Sequence, residues 1–457
     1  MIKRFFLWGG SMVLLPFSVL WWLGQLFRHL HRFRHSDVVI VNPHMVNYGN
    51  SLMTQDIARR FFRGRKVTYV LVWFPDGTQN TKIGLIWSDL DVVLVRRAAV
   101  SFSFFGKYFI FPGVEILTPT LKWVTSVFMS ALAPKADFVT AGGIRNSLPV
   151  PPDLADIIAA DYGSPEWNIV YTHVLWARML KSDQQAVKPA FPEREREAIY
   201  ARLRRVCERP KPRLCMLYNR SLENTERSGS PVENYLATMR LLIDNGYVIL
   251  LMTDQGLDED QMSSFGRMVV DAERLGVDPD LYRLFVPTEA EICIGDAGAG
   301  MALPMIMGTP CLVLNFHSIG CTLPGTWVYP KRVVDSSGTP VPYPRVITED
   351  PYGYCDPEPR EHEDWVRLTN SSDEILEAVQ CFLEYLSGNE FLGIGDELNA
   401  LAPRLSMFSS FGSRVSPAYI RRNSMKGARE DYVECKENSQ ESKPGTPPLK
   451  DIFLEAP

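Results

Sequence analysis

The chain has 457 residues, 46% of them hydrophobic, and a formal net charge of −5 from 48 Lys and Arg against 53 Asp and Glu. This length suits two globular domains, and the charge balance leaves no basic excess for binding nucleic acid. The eight cysteines show no CxxC spacing, so neither a disulfide framework nor a zinc site is predicted, and a reducing compartment is favoured.

The N-terminal segment combines a long uncharged run with basic flanks. Residues 5–27 carry no charge, while Lys3, Arg4 and Arg28 stand on either side of them. At ~1.5 Å of rise per residue, such a helix is long enough for the ~30 Å hydrocarbon core of a bilayer. Basic residues follow it where a signal peptide has small ones, so the segment is expected to be retained. We predict a membrane anchor with a basic juxtamembrane segment over residues 1–36, in contact with lipid through residues 5–35.

Two alternatives to a spanning helix stay open for this segment. Pro16 permits a bend, which is typical of a re-entrant helix that leaves by the face it entered. A helix buried in the core of the protein is the other alternative, although the run is long for one.

The first soluble domain is predicted over residues 37–190. Residues 38–41 form a short apolar run of the kind found in parallel strands that are buried on both faces. A loop containing His44 follows, and then a helix that Asn50 or Ser51 can cap. Strand, loop and capped helix open a βαβ unit. Further strands are predicted at residues 67–72, 92–95 and 136–140.

A second domain is predicted over residues 211–405, after a linker helix at 191–210 that Pro192 opens. Gly246 and Gly308 stand where left-handed helix ends belong. Strands are predicted at 214–218, 248–252, 284–286, 292–294 and 311–315, and helices at 231–244, 258–275, 301–307 and 373–386. The pattern predicts an α/β fold of two Rossmann-like domains facing each other, with ligands beyond the carboxyl ends of the strands. Residues 421–457 are polar and are predicted to be a disordered tail.

The strongest local motif is a strand that runs into a glycine loop at the start of a helix. It contains Asp296, Gly298, Ala299 and Gly300. Glycines let backbone N–H groups approach an anion, and a helix N-terminus favours negative charge, so a diphosphate fits this motif. The alternative is a tight turn in which the glycines only allow close packing of helix and strand.

Three more strand ends of this domain carry polar side chains at the same sheet edge. Arginine binds phosphate with two parallel hydrogen bonds, and hydroxyl or carboxylate groups hold ribose or base. The convergence of these groups on one edge predicts a nucleotide site there. The residues are Asn219 and Arg220, Thr253 and Asp254, and Asn315 and His317.

The second half of the chain, about residues 160–390, resembles a bacterial family of GT-B-type glycosyltransferases associated with surface polysaccharide and lipopolysaccharide. The first matching residues are Leu217-Tyr218-Asn219-Arg220, Asn234-Tyr235, Ala237, Leu242 and Asn245-Gly246-Tyr247-Val248. Further along they are Ile294-Gly295, Gly298, Gly300, Met307-Gly308-Thr309-Pro310, Asn315, Tyr329-Pro330-Lys331 and residues 370–375. A looser match lies at Tyr48-Gly49-Asn50. The chain departs from the family at Asp296 and Ala299, where hydroxyl residues are expected, and it lacks an arginine-asparagine pair before Asn234.

The resemblance implies a GT-B-like glycosyltransferase whose second domain binds a nucleotide sugar and whose first domain binds a glycan or lipid-linked acceptor. It implies no cofactor and no metal, since Arg220, the loop amides and Lys331 can stabilise the leaving diphosphate. His44 is the predicted base for the acceptor hydroxyl, with Asp76 and His317 as alternatives. Cytoplasmic nucleotide sugars then place the body on the cytoplasmic side of a bacterial inner membrane.

Other interpretations stay open. Asp296 near a diphosphate favours a catalytically inactive module that binds sugar nucleotides or glycans within a membrane assembly complex. A nucleotide-sugar epimerase shares the two-domain layout. Asp89-Leu90-Asp91 resembles the metal-binding DxD motif of another glycosyltransferase architecture, although both carboxylates suit the start of a strand.

Overall fold

The computed structural model describes two α/β units, each built on a parallel sheet. The described residues are 2–42, 48–73, 80–96, 100–104, 107–111, 114–140, 176, 179–180, 183, 186–220, 229–253, 255–316, 326–341, 365–388 and 414–422.

The first unit is a four-stranded sheet with helices on both faces. Its strands are β1 (Val38–Asn42), β2 (Val67–Trp73), β3 (Leu90–Arg96) and β6 (Asp137–Thr140). They run parallel in the order β3-β2-β1-β6. A separate antiparallel pair consists of β4 (Val100–Phe104) and β5 (Lys107–Phe111). The helices are α1 (Ile2–Arg28), α2 (Leu30–Arg34), α3 (Tyr48–Phe61) and α4 (Val114–Leu132).

The second unit begins after helix α5 (Glu193–Cys207) and contains a seven-stranded parallel sheet. Its strands are β7 (Arg213–Asn219), β8 (Tyr247–Thr253), β9 (Val269–Val270), β10 (Ile292–Asp296), β11 (Cys311–Phe316), β12 (Thr326–Pro330) and β15 (Arg414–Val415). A small antiparallel pair is β13 (Arg332–Val334) with β14 (Val366–Leu368). The helices are α6 (Leu236–Asp244), α7 (Glu259–Ser264), α8 (Ala272–Leu275), α9 (Pro279–Glu289), α10 (Ala302–Met307), α11 (Ser372–Leu386) and α12 (Pro417–Arg422).

Strand β1 shows why its residues form the centre of the first sheet. Val38 and Ile40 point into a core that continues into the second unit, while Val39 and Val41 point into a second core under α1 and α4. Side chains alternate along a strand, so an unbroken run of β-branched residues suits burial on both faces. The predicted parallel α/β class is therefore confirmed.

The predicted anchor forms α1, and the C-terminal half of this helix packs onto the first sheet. Trp22 and Leu26 are buried there, and the Trp22 indole N–H donates to the Thr125 hydroxyl of α4 over 2.9 Å. Across the described part of the chain, no helix has both the length and the apolar character that crossing a bilayer demands.

Two predicted elements of the second unit are wrong. Residues 284–286 are not a strand, because they lie in α9, which Asp278 caps and Pro279 opens. Residues 258–275 are not one helix, because α7 ends at Ser264 and β9 adds to the sheet edge before α8 begins.

Several predicted helix ends are confirmed. Gly246 and Gly308 have left-handed backbone angles, with φ of 87° and 72°. The predicted helix at residues 373–386 corresponds to α11, which Ser371 caps through a reciprocal capping box with Glu374. In the first unit, α3 begins at Tyr48, so Asn50 and Ser51 lie inside the helix and are not its cap.

The division of the chain into domains stays a prediction. Helix α5 lies within the predicted linker, and Ile199 and Leu203 of that helix pack into the core of the second unit. Of the predicted tail, residues 421 and 422 end α12, and residues 423–457 lie outside the described residues.

Candidate functional site

The second sheet changes its winding direction between β7 and β10. The first strand of this sheet, β7, lies in the middle, with β8 and β9 on one side and β10, β11 and β12 on the other. In such sheets the connections leave in opposite directions, which opens a crevice beyond the carboxyl ends of the two central strands. Asn219 and Arg220 at the end of β7 and Asp296 at the end of β10 therefore border this crevice.

Asp296 is buried and accepts hydrogen bonds from several parts of the unit. Burial raises the pKa of its carboxyl, while these hydrogen bonds oppose the rise. The carboxylate thus joins neighbouring strand ends and is turned away from solvent. The donors are Asn219 Nδ2 (3.1 Å), the Arg220 amide (2.9 Å), the Ser230 hydroxyl (3.0 Å), the Tyr235 hydroxyl (2.6 Å) and Asn315 Nδ2 (2.7 Å).

Asn219 and Thr253 belong to the same hydrogen-bond network. The Asn219 side-chain oxygen accepts from the Thr253 hydroxyl at 3.1 Å and from Gln255 Nε2 at 2.9 Å. The Asn219 amide group also donates to the Ser230 carbonyl at 2.8 Å. These contacts fix the loops after β7 and β8 relative to each other, which orients the edge of the crevice.

Asn315 holds β11 to the start of α11. Its backbone is left-handed, with φ of 51°, a conformation that asparagine tolerates better than most residues. Asn315 and Asn370 exchange two hydrogen bonds of 2.6 and 2.7 Å between their amide N–H groups and side-chain oxygens. Lys331 is also buried in this region, where burial lowers its pKa to about 8 and the Asp296 charge opposes the change.

The glycine loop is packed against side chains from β7. A Cβ on Gly300 would lie 2.5 Å from the Tyr218 ring, and one on Gly298 would lie 2.8 Å from Arg220 Cδ. A Cβ on Gly295 would collide with the Tyr218 carbonyl. The glycines therefore admit Tyr218 and Arg220, as the tight-packing alternative expects.

The first turn of α3 closes over this loop from the first unit. A Cβ on Gly49 would lie 2.7 Å from both Cα and Cβ of Ala299. The Tyr48 hydroxyl donates to the Arg283 carbonyl over 3.2 Å, which adds a hydrogen bond between the units. The two units therefore touch at the carboxyl edge of the second sheet, and Gly49 permits the close approach.

Replacing Gly49 with alanine is expected to lower the free energy of unfolding by about 1–3 kcal/mol, because the added methyl overpacks a backbone contact. Gly24→Ala is the matched control, since Gly24 is also helical and a methyl group added there would meet no atom within 4 Å. This control is expected to gain up to ~1 kcal/mol from helix propensity. Urea unfolding measures both changes, and equal changes would contradict the close contact.

A second contact between the units lies at the N-terminal end of α9. Asn80 Nδ2 donates to the Asp280 carbonyl at 2.7 Å, and the Thr81 hydroxyl donates to the Asp280 carboxylate at 2.6 Å. Lys82 and Asp278 form an ion pair of 2.9 Å. Together with the α3 contact, these bonds hold the two units across a shared cleft.

The cleft contains a cavity of about 450 Å³ beside both contacts. Arg220 supplies a cation to the lining at the end of β7, and Asp271 and Glu273 supply carboxylates to it. This charge arrangement suits a ligand with an anionic group and several hydroxyls. The lining residues include Tyr48 and Asn80 of the first unit and Tyr218, Arg220, Thr253, Asp271, Glu273, Tyr282, Arg283, Ala299 and Gly300 of the second.

The structure brings four of the predicted binding residues to this cavity, namely Arg220, Thr253, Ala299 and Gly300. Asn219, Asp296 and Asn315 lie behind them in the hydrogen-bond network. Gly298 contacts Arg220, and Lys331 is buried after β12. His44, Asp76, Asp254 and His317 lie outside the described residues.

Sequence reasoning missed the aromatic lining of the cavity. Tyr48, Tyr218 and Tyr282 all border it. Tyr48 and Tyr218 lie in the motifs that carry the family resemblance, so those motifs held a signal. No local pattern marks Tyr282, because it reaches the cavity only through the true course of α9.

The Asp89-Leu90-Asp91 motif lies at the amino end of β3, so it is at the end of the first sheet opposite the carboxyl ends of the strands. Asp89 pairs with Arg59 and Asp91 pairs with Arg32, each over 3.0 Å. The two carboxylates therefore face separate arginines at the amino end of β3, far along the strand from its carboxyl edge.

No protein-family model and no curated protein matches the chain. Solved structures similar to it include the glycosyl transferase family 9 protein from Veillonella parvula, with 12% identity over 76% of this chain and 98% of that one and a TM-score of 0.43. The E. coli ADP-heptose LPS heptosyltransferase II has 10% identity over 77% and 99%, with a TM-score of 0.41. The UDP-GlcNAc 2-epimerase from Neisseria meningitidis has 11% identity over 87% and 99%, with a TM-score of 0.36. Similarity at this level leaves the function to be argued from the site itself.

Proposed function

We propose that the chain is a membrane-associated glycosyltransferase of GT-B arrangement. It transfers a sugar from a nucleotide sugar to a glycan or lipid-linked acceptor. The observation that carries the proposal is the cavity between two parallel α/β units, with Arg220 at the point where the second sheet changes direction. Such crevices are where α/β sheets bind nucleotides.

The second unit holds the donor in this proposal. Arg220 is half-buried, its amide is fixed on Asp296, and its guanidinium donates to the Ala297 carbonyl over 3.3 Å. This placement points a permanent cation at a diphosphate bound in the cavity beside Ala299 and Gly300. Asp271 and Glu273 supply acceptors for ribose hydroxyls.

Transfer forms a bond between an acceptor oxygen and the sugar C1 and breaks the bond from C1 to the diphosphate. A base takes the hydroxyl proton, and Arg220 stabilises the negative charge on the leaving nucleoside diphosphate. Because this cation serves that purpose, the proposed reaction is metal-independent. His44 is the proposed base, with Asp76 as the alternative.

The first unit faces the acceptor, and the proposed location is the cytoplasmic side of a bacterial inner membrane. Nucleotide sugars arrive there from the cytoplasm, while a lipid-linked acceptor stays in the membrane plane. The first unit therefore needs a surface that keeps it beside lipid.

Binding of nucleotide sugars tests the proposal. Thermal-shift measurements use the full chain, because α1 supplies Trp22 and Leu26 to the core and its removal would expose the first sheet. We expect at least one of the UDP-, GDP-, ADP- or CMP-sugars to raise Tm, and EDTA to leave the rise unchanged. A flat response to all four classes would contradict the proposal.

Turnover then separates transfer from the alternatives. Asp296 is occupied by donors from its own unit, so it gives no reason to expect an inactive site. Release of nucleoside diphosphate that depends on a lipid-linked acceptor supports transfer. Binding without release favours an inactive binding module, and a changed sugar without any acceptor favours an epimerase.

A further inference from the structure

Helices α1 and α4 form the outer layer of the first unit and expose large apolar side chains to solvent. Phe17, Leu20 and Trp123 are 57%, 69% and 68% exposed. Monomeric soluble proteins rarely leave such side chains grouped on one face. We call this surface the outer face; its members are Phe17, Leu20, Trp21 and Phe27 of α1 and Trp123 and Val127 of α4.

The two sides of α1 differ from those of an ordinary surface helix. Positions 17, 20, 21, 24 and 27 follow one another at helical spacing and are all at least partly exposed, yet none is polar. The buried side instead includes Ser18 and Gln25. A helix on a water-soluble domain carries its polar residues outward, so the outward side of α1 is built for an apolar neighbour.

Basic residues outnumber acidic ones on the helices that carry the outer face. Helices α1 and α2 contain no Asp or Glu, and α4 contains only Glu115 against Lys122. The chain as a whole carries a net charge of −5, so basic charge is concentrated at this layer. Basic residues beside exposed aromatic ones complement a negatively charged, amphiphilic partner. Among the described side chains of α1 and α2 they are Arg28 and Arg34, together with Arg32, which pairs with Asp91.

We propose that the outer face docks on an anionic lipid bilayer, with α1 and α4 lying in the plane of the interface. Phe17, Leu20 and Phe27 then enter the boundary between headgroups and acyl chains. Trp21 and Trp123 take the interfacial position that tryptophan favours. The exposed Arg28 and Arg34 contact the anionic headgroups at the end of the layer.

The inner side of α1 explains why the helix lies along the membrane and does not cross it. The Trp22 indole is bonded to Thr125, and the Gln25 side chain pairs with both backbone groups of Arg96. Moving α1 into a bilayer as a separate helix would break these bonds and uncover Val39 and Val93 of the first sheet. Lipid is therefore reached by the outward side alone.

The purpose of this docking rests on the proposed function: it would hold the first unit beside lipid-linked acceptors. The docking itself does not depend on that function. The outer face lies on the side of the first sheet opposite α3 and the second unit, since α3 packs in the other core. The nucleotide cavity, which Tyr48 of α3 lines, thus lies on the side of the first unit away from the docked layer.

Vesicle co-sedimentation of the full chain tests the surface. We expect binding to vesicles of phosphatidylglycerol and phosphatidylcholine in equal parts, weaker binding to pure phosphatidylcholine, and weakening by salt. Leu20→Glu and Trp123→Glu are each expected to lower the partition coefficient about tenfold or more. Leu85→Glu is the matched control, because Leu85 is an exposed leucine of the same unit outside the outer face. Equal binding of all three variants would overturn the proposal.

The orientation of α1 has its own test. Inverted membrane vesicles from cells that produce the full chain, tagged at both termini, are treated with protease. Cleavage of both tags is expected from a helix in the plane, whereas a protected N-terminal tag would show that α1 crosses the membrane. Neither experiment uses a nucleotide, so a failure of docking and a failure of nucleotide-sugar binding are observed separately.

Discussion

Asp296→Ala is expected to prevent the second unit from folding. The substitution removes the acceptor of the buried Tyr235 hydroxyl and of the Asn315 side-chain amide, and one of the two acceptors of the Asn219 side-chain amide. Each unsatisfied buried group costs about 1–3 kcal/mol, and the sum is comparable with a typical total stability of ~5–15 kcal/mol. Soluble yield and the far-UV circular dichroism spectrum measure the loss.

Two further variants make this result specific. Asp258→Ala removes an exposed helix cap and is expected to cost only ~1 kcal/mol. Asp296→Asn keeps the shape of the side chain but replaces one acceptor oxygen with an amide group that can only donate, and its neighbours are also donors. Its loss of stability is therefore expected to lie between those of Asp258→Ala and Asp296→Ala. An Asp296→Ala protein as stable as Asp258→Ala would show that the network carries little of the fold.

Arg220→Ala is expected to weaken nucleotide-sugar binding by about two to four orders of magnitude. Two charge-assisted hydrogen bonds to a diphosphate are worth ~1.5–3 kcal/mol each, and the variant loses both. Isothermal titration with the nucleotide sugar that gives the largest thermal shift measures the affinity. Arg220→Lys is expected to recover only part of it, because lysine lacks the planar fork.

The control for this measurement lies on the same strand. Arg213 begins β7 and pairs with Glu291 at the amino edge of the sheet, opposite the cavity. Arg213→Ala is expected to bind the nucleotide sugar as the unsubstituted protein does. Unchanged affinity in Arg220→Ala would move the donor site to other loops.

The fold was predictable wherever strands are continuous apolar runs. Residues 38–41 and 214–218 are such runs, and both form central parallel strands. Residues 284–286 are equally apolar yet helical, because a short run does not distinguish a buried strand from a buried helix turn. The deciding signals were Asp278 as a cap and Pro279 at the first helical position.

The sequence predicted which sheet edge carries the candidate site, but not which side chains line the cavity. Strand ends reveal which residues share the carboxyl edge, and Arg220 and Thr253 do line the cavity. Strand ends do not reveal which polar groups turn inward. Asp296 was therefore predicted to lie in the nucleotide site, although its carboxylate accepts hydrogen bonds from neighbouring residues of its own unit. The purpose of Gly298 and Gly300 likewise depended on the position of Tyr218, which is distant in sequence.

The core that runs without a break from α3 into the second unit limits how donor specificity can be exchanged. Leu52, Met53 and Ile57 of α3 belong to the same cluster as Met301 and Leu303. A chimera joined at the linker before β7 would pair a foreign donor unit with an α3 that was not shaped for it. A graft that carries α3 together with the second unit keeps the packing between them intact. It is therefore the better starting point for building hybrids.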